Sequence, residues 1–558
     1  MAVMKGPGGN AGAFFFAGLR RFLAKGIGLV NQERLFVRLK GAALDGALLS
    51  NCVCAVSGAA TCDASQDLDR APFFGRKCRG WTKLASACLF LVVAGLLRAS
   101  TYGDPNVHID EAFYQAVGIA MHHGAIPYVD VWDRKPWGLF FVYYLITGLS
   151  DAPLAYQAAA TVFAAGTALI ISRIAARWHG EKAGIFCGLG YLLWLEQAQG
   201  FFGQAPIWYN LFVASAALLI LQCAASLGEG KVDWRSYAAM VMGGCAITIK
   251  QTSLFECIWL GLYAAHVLWR GPQGGLCKTV IIAGWMLVGA LPTLAVAAGY
   301  GLAGNGTIWL QAMIGANLHK PIDTASSMIR ALIMFVMLAP FIMLYVLSLP
   351  TMARDERRFL AGWLLAALMG LVSVPNFYLH YALPILVPLS VAAAGFFAGR
   401  WTGALALGVL VALAMRDTQA LDFEHAQRSR AALDALATAV NNHADGSPLF
   451  VYDGPVQLYA LTGHRFVTPL VFTPHLAQAI ERDVSHLSTL GEVRRVLAER
   501  PGAVVLASKP WQGPVNWETL VPVRDYALRN CRLVARVMTP SWLHEETIDV
   551  WGDCNRGN

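Results

Sequence analysis

Apolar runs of about 17–25 residues recur along this 558-residue chain, separated by short basic or polar connectors. A run of that length crosses the hydrocarbon core of a bilayer as a helix, because a helix satisfies its backbone groups without water. Only 14% of residues are charged, where a soluble chain carries about a quarter. The pattern predicts an all-α polytopic membrane protein. The 27 Phe, 17 Trp and 17 Tyr exclude fibrous and disordered classes. A net charge of +8 with no polybasic run interleaved with aromatics reports orientation in a membrane, not a nucleic-acid partner.

Residues 1–80 carry a short apolar patch at 13–19 and basic residues at Arg20, Arg21, Lys25, Arg34, Arg38 and Lys40. The patch is too short to span, so a cytoplasmic tail, poorly ordered or interfacial, is expected. The first span is 84–97. Arg76, Lys77, Arg79 and Lys83 hold its N-terminal side in the cytoplasm, which puts the following loop, 99–150, outside. The apolar stretch 136–150 is shorter than the roughly 20 residues a crossing needs. If it crossed, Arg173, Arg177 and Lys182 would land on the outer face; lying juxtamembrane, it leaves them inside.

The remaining spans are then 154–175, 183–199, 206–227, 237–249, 252–269, 279–300, 328–349, 358–374, 377–398 and 401–415. Connectors holding Lys231 and Arg235, Arg270 and Lys278, Arg354, Arg357 and Arg358, and Arg400 all fall inside. About eleven spans carry the C-terminus outside. Residues 81–416 form the transmembrane domain, and 417–558 a small extracytoplasmic α/β domain. In that domain a helix is expected at 420–442 and another near 491–499, with buried strands at 449–452 and 503–506.

The cysteines lack paired CxxC spacing. Cys52 and Cys54 form a lone CxC; Cys88, Cys187, Cys223, Cys245 and Cys257 sit in apolar runs as small hydrophobes. Cys531 and Cys554 lie in the polar C-terminal region, where an oxidising compartment allows a disulfide.

Chemistry concentrates in HIDEAFYQAVGIAMHHGAIPYVDVWDRKPW, residues 108–137. Phe113, Val117, Ala120 and Met121 recur at helical spacing, predicting a short amphipathic helix on the membrane surface. Asp110, at its start, either caps free backbone amides or stands as a general base at the bilayer surface; Glu111 follows it. Further on come Asp130, Asp133, Arg134 and Lys135. Pro136 suits the first turn of a new helix, so Arg134 and Lys135 beside its amides make an anion site, or simply snorkel to the interface beside solvated acids. Trp132 and Trp137 fit an interfacial aromatic belt.

Lys250, in ITIKQTSL, either snorkels or adds a second phosphate contact. His319 and Lys320 lie in an outer loop, and Tyr378, His380 and Tyr381 open FYLHYALPILVPL. A lone interfacial histidine is commonly a hydrogen-bonded structural residue. His108, His122 and His123 stand near acids without HExxH or comparable spacing, so no metal is expected.

The succession DEAFY…GAIPYVDVWDRKP, IKQTSL and FYLHYALPILVPL resembles the polyprenyl-phosphate-sugar-dependent glycosyltransferases of the GT-C superfold. Within it, the chain is similar to bacterial members of the protein O-mannosyltransferase and lipid A aminoarabinose transferase group (glycosyltransferase family 39-like). The likeness covers about 81–415, and its specific part is the first outer loop. It implies a bacterial inner-membrane enzyme that moves a sugar from a polyprenyl-phosphate donor to a lipid, polysaccharide or protein acceptor on the periplasmic face, with no further cofactor. Asp110 matches the position of the family's base. Lys135 matches the lysine of its Lys-Pro-Pro motif, which contacts the donor phosphate; this chain reads Lys135-Pro136-Trp137. The further substrate-binding candidates are Arg134, Glu111, Asp133, Lys250, Tyr378 and His380.

Two other readings stay open. A transporter or flippase places charges near the middle of broken spans, often in two-fold repeats; here charges cluster at the outer ends and no repeat is evident. A non-catalytic GT-C-like subunit is the second, against which Asp110 and Lys135 argue.

Overall fold

The computed structural model describes residues 74–554, except 320, 322, 418–421, 511–512 and 542–544. Most of the stretch 1–80, Cys52, Cys54 and Lys320 therefore lie outside the described residues.

A helix occupies every expected span. In chain order they are α1 (Phe74–Leu97), α2 (Ile109–His122), α3 (Trp137–Thr147), α4 (Pro153–Leu195), α5 (Ala205–Gly228), α6 (Trp234–Ile249), α7 (Leu254–Trp269), α8 (Gly275–Leu302), α9 (Thr324–Ser348), α10 (Arg354–Val372), α11 (Leu383–Ala392) and α12 (Thr402–Asp417). The expected spans 154–175 and 183–199 are the two halves of α4, which breaks at Gly180. Gly180 has φ +84°, a backbone conformation only glycine adopts without cost. Four helical stretches are by themselves long and apolar enough to cross a membrane: Pro153–Leu195, Ala205–Gly228, Gly275–Leu302 and Thr324–Thr351. On α8, Met286, Leu287, Leu291 and Leu294 are exposed, an outward apolar face of the kind that marks contact with a membrane or another protein. The described chain is mostly helical, with a small sheet near its C-terminus.

The stretch 136–150 contains only the 11-residue α3. Its start is pressed onto the end of α6: a Cβ at Gly138 would lie 2.5 Å from Thr248 Oγ1 and 2.6 Å from Thr248 O. Glycine there lets the Lys135–Pro136 segment approach the α6–α7 turn, where Lys250 sits.

Beyond α12 come α13 (Phe423–His443), β1 (Leu449–Val451), α14 (Thr489–Ala498), β2 (Ala503–Ala507), α15 (Trp517–Asn530), β3 (Arg532–Pro540) and β4 (Glu545–Gly552). The sheet order is β1-β2-β4-β3. Parallel β1 and β2 pair Leu449 with Ala503; β4 runs antiparallel to β2, with Val505 opposite Val550, and to β3. β1 and β2 are buried along their length, as strands covered on both faces must be. Cys531 and Cys554 form a disulfide.

This C-terminal lobe packs on the loop after α1 through several polar ties. His425 Nδ1 lies 3.0 Å from Asp104 Oδ2. Gln457 donates to Pro105 O at 2.7 Å, Asn106 to Pro540 O at 3.0 Å, and the Trp132 amide to Pro469 O at 2.8 Å. The covering changes two sequence expectations. α2 is not half-solvated: residues 111–118 are all buried, with Phe113 against Phe472 at 4.9 Å between centroids. Trp132 is not in an interfacial belt; it is 1% exposed and lies edge-on to His475.

Candidate active site

The first turn of α2 is capped by His108, whose Nδ1 accepts the Asp110 amide at 3.2 Å. A capping side chain two positions earlier leaves the Asp110 carboxylate available to other partners. Eighteen residues on, the chain makes a tight turn. The Asp130 carboxylate accepts the Ile126 amide at 2.7 Å, and the Tyr128 amide donates to Val131 O at 2.6 Å. Tyr128 has φ +70°, a left-handed conformation costing a non-glycine residue about 1 kcal/mol. Its hydroxyl donates to Lys135 O at 2.9 Å, and Tyr300 of α8 braces the turn by donating to Pro127 O at 3.0 Å. Gln251 donates to Arg134 O at 3.3 Å. The backbone carrying Lys135 is thus held from three sides.

These elements surround a cavity lined by Asp110, Tyr114, Lys135, Lys250, His380 and Tyr381, with Gln204, Tyr209, Thr252, Glu256 and apolar residues of α10 completing it. Lys135 Nζ stands 5.4 Å from the Tyr114 ring centre and 3.9 Å from Asp133 Oδ2. Lys250 Nζ stands 5.1 Å from the Tyr381 ring centre. His380 is 7% exposed, lies edge-on to His108 at 5.7 Å, and its Nδ1 has no hydrogen-bond partner among the described residues.

Two lysines and two carboxylates, Asp110 and Glu256, line the cavity, and the charges around Asp110 and the lysines shift one another. Burial pushes Asp110 up, but Lys135, then His108, His380 and Lys250, more than reverse this and hold it at about 2. Burial lowers Lys135, yet Asp133, Tyr114 and Asp110 carry it above its ordinary value. Lys250 goes the other way: burial, reinforced by Lys135, brings its ammonium down to about 7. Lys135 is therefore a permanent cation and Lys250 a titrating one.

Of the eight candidate catalytic and substrate-binding residues, the structure brings together four: Asp110, Lys135, Lys250 and His380. The other four do not line the cavity. Glu111 is fully buried behind it, facing the backbone of Gly203 and Phe202 without a hydrogen bond of good geometry, and burial raises its carboxyl to about 8. Asp133 accepts the Arg134 amide and lies beside Lys135. Arg134 turns to the C-terminal lobe and donates to Glu481 at 2.9 Å. Tyr378 packs under the Arg330 guanidinium at 4.8 Å, and its neighbour Tyr381 is the tyrosine that reaches the cavity. Tyr114 was legible in principle, since i+4 from Asp110 lies on the same helical face. So was Glu256, a carboxylate inside an apolar run. Among the described residues, no group of three or more His, Cys, Asp or Glu is placed to hold a metal ion.

No protein-family model matches the sequence, and no curated protein does. Among solved structures, ArnT from Cupriavidus metallidurans bound to undecaprenyl phosphate is similar: TM-score 0.54 and 13% identity, covering 84% of this chain and 98% of that one. The same protein in the apo state gives 0.53 and 14%, covering 85% and 98%. The chain has the GT-C fold.

Proposed function

We propose that this protein is an inner-membrane glycosyltransferase that moves a sugar from a polyprenyl-phosphate donor to a lipid, polysaccharide or protein acceptor on the outer face of the membrane. The observation that carries the reading is the cavity joining Asp110 to Lys135 and Lys250. A carboxylate that takes a proton beside two cations that receive a phosphate is the minimum equipment for this transfer. The undecaprenyl phosphate bound by the similarly folded ArnT fits a site of this charge.

The acceptor hydroxyl gives its proton to the Asp110 carboxylate while its oxygen bonds to the anomeric carbon. The bond from that carbon to the phosphate oxygen breaks, and its electron pair leaves with the phosphate. Lys135 and Lys250 meet the negative charge that develops there, so the leaving group needs no proton. Donor binding also readies the base. Lys135 and Lys250 depress Asp110; a phosphate that neutralises them lets its pKa rise, which makes the carboxylate a stronger base. Arg134, Asp133 and Glu111 serve as positioning groups around this centre. The reading includes no metal, since the two lysines supply the cationic charge.

Two observations support the outer side: the distribution of basic connectors and the Cys531–Cys554 disulfide in the C-terminal lobe.

The test uses polyprenyl-linked sugars extracted from cells lacking the gene, added to purified wild-type or Asp110→Asn protein with acceptor membranes. Wild type should release the sugar from its lipid, and the variant should do so about 10²–10⁴-fold more slowly. A wild-type protein that leaves the lipid-linked sugar chemically intact would sink the reading and favour transport.

A further inference from the structure

Away from Asp110 and Lys135, the cavity has a second polar region that the transfer step does not use. Gln204, at the N-terminal end of α5, is 1% exposed and lines the cavity, and its side-chain Nε2 has no hydrogen-bond partner among the described residues. Glu256, in the first turn of α7, is 2% exposed and lines the same cavity. One of its oxygens accepts the Trp363 indole N–H at 2.8 Å; no second hydrogen bond to that carboxylate is formed among the described residues. Tyr209, 1% exposed, also reaches the cavity.

A buried amide and a buried carboxylate that are not fully hydrogen-bonded are each costly. A carboxylate within an apolar helix as a rule faces a cavity or a polar partner. Both come from different helices and converge on one space. Glu256 lies six residues beyond Lys250, on the order of 10 Å along the 3₁₀ turn and the start of α7. That separation suits a sugar whose phosphate rests on the lysines.

We propose that Gln204 and Glu256, with the Tyr209 hydroxyl, form the subsite that reads the donor's sugar, and that this sugar presents to Glu256 a group able to donate a hydrogen bond, a hydroxyl or an ammonium. The inference rests on the glycosyl-transfer reading and adds the residues that discriminate between donors. Gln204 donates to an oxygen on the sugar and Glu256 accepts from the donating group. A sugar lacking that group leaves the carboxylate unpaired in a dry site and is rejected.

The experiment uses full-length protein in lipid nanodiscs and two probes: undecaprenyl phosphate, which carries no sugar, and the extracted lipid-linked sugar. Glu256→Gln and Gln204→Ala should bind undecaprenyl phosphate within about twofold of wild type, while the KM for the sugar-bearing lipid rises at least about tenfold. For Glu256→Gln, a rise near tenfold points to a hydroxyl, which the glutamine oxygen still accepts. A rise of about 100-fold or more points to an ammonium, whose counter-charge is lost. Unchanged use of the sugar-bearing lipid by both variants would overturn the subsite. So would an equal loss of undecaprenyl phosphate binding, which would make Glu256 a strut between α7 and α10. Asp110→Asn, run alongside, separates the two levels: if it turns over like wild type the transfer reading fails, and if it alone is inactive only the subsite fails.

Discussion

If Lys250 meets the donor phosphate as proposed, lipid-phosphate binding should depend on pH, with a sign opposite to that of stability. Its ammonium sits at about 7 because it is buried beside Lys135. A bound phosphate returns it towards the ordinary lysine range, so binding takes up a proton. The fraction of empty protein already carrying that proton falls from about 0.9 at pH 6 to about 0.01 at pH 9. Affinity through Lys250 should then fall roughly 90-fold across that interval, or about 3 kcal/mol as an upper limit. Stability moves the other way. The folded pKa lies below that of the unfolded chain, so between pH 7 and about 10 the unfolded state binds more protons and unfolding becomes harder as pH rises. Weakened binding at pH 9 is therefore not loss of fold. Calorimetry with undecaprenyl phosphate at pH 8, in buffers of different ionisation heat, should give about 0.9 more protons taken up by wild type than by Lys250→Met. The difference between the two proteins cancels the lipid phosphate's own titration. Equal proton uptake would refute the placement of Lys250 at the phosphate.

Asp110, held at about 2, should contribute no acid limb to kcat/KM above about pH 4; a limb between pH 5 and 7 that disappears in Asp110→Asn would show that it is held differently. Arg134 and Glu481 form a largely buried pair at 2.9 Å, so Glu481→Ala should lower thermal stability by about 3–5 kcal/mol. The double variant Arg134→Met with Glu481→Gln should be less damaged than either single change, and additive losses in a thermal scan would remove the pair from the lobe's anchoring. Alkaline phosphatase fused after residue 416 should be active if the C-terminal lobe lies outside; an inactive fusion would place the site on the wrong side.

Much of the helical plan was legible because a bilayer leaves few solutions: every apolar run has its helix, and the basic link around Gly180 marks the break in α4. The polar stretch 108–137 was legible because acids and bases gathered after an apolar run are conspicuous. What local pattern could not supply was which way they point. Arg134 and Lys135 are adjacent, yet one turns to Glu481 and the other to the cavity. The decision belongs to the C-terminal lobe, whose partners are hundreds of residues away and leave no periodic trace. Tyr378 and Tyr381 are interchangeable to the eye, and only the 3₁₀ turn Leu379–Ala382 between the loop and α11 separates them. Glu256 carried a signal, a single carboxylate in an apolar run, that was masked by the regularity of its surroundings.

The most direct measurement is mass spectrometry of envelope glycolipids and polysaccharides from cells lacking the gene, complemented with wild-type or Asp110→Asn protein at matched expression. The expected result is one sugar missing in the deletion, restored by wild type and still missing with Asp110→Asn. Restoration by Asp110→Asn, or an envelope unchanged by the deletion, would contradict glycosyl transfer with Asp110 as its base.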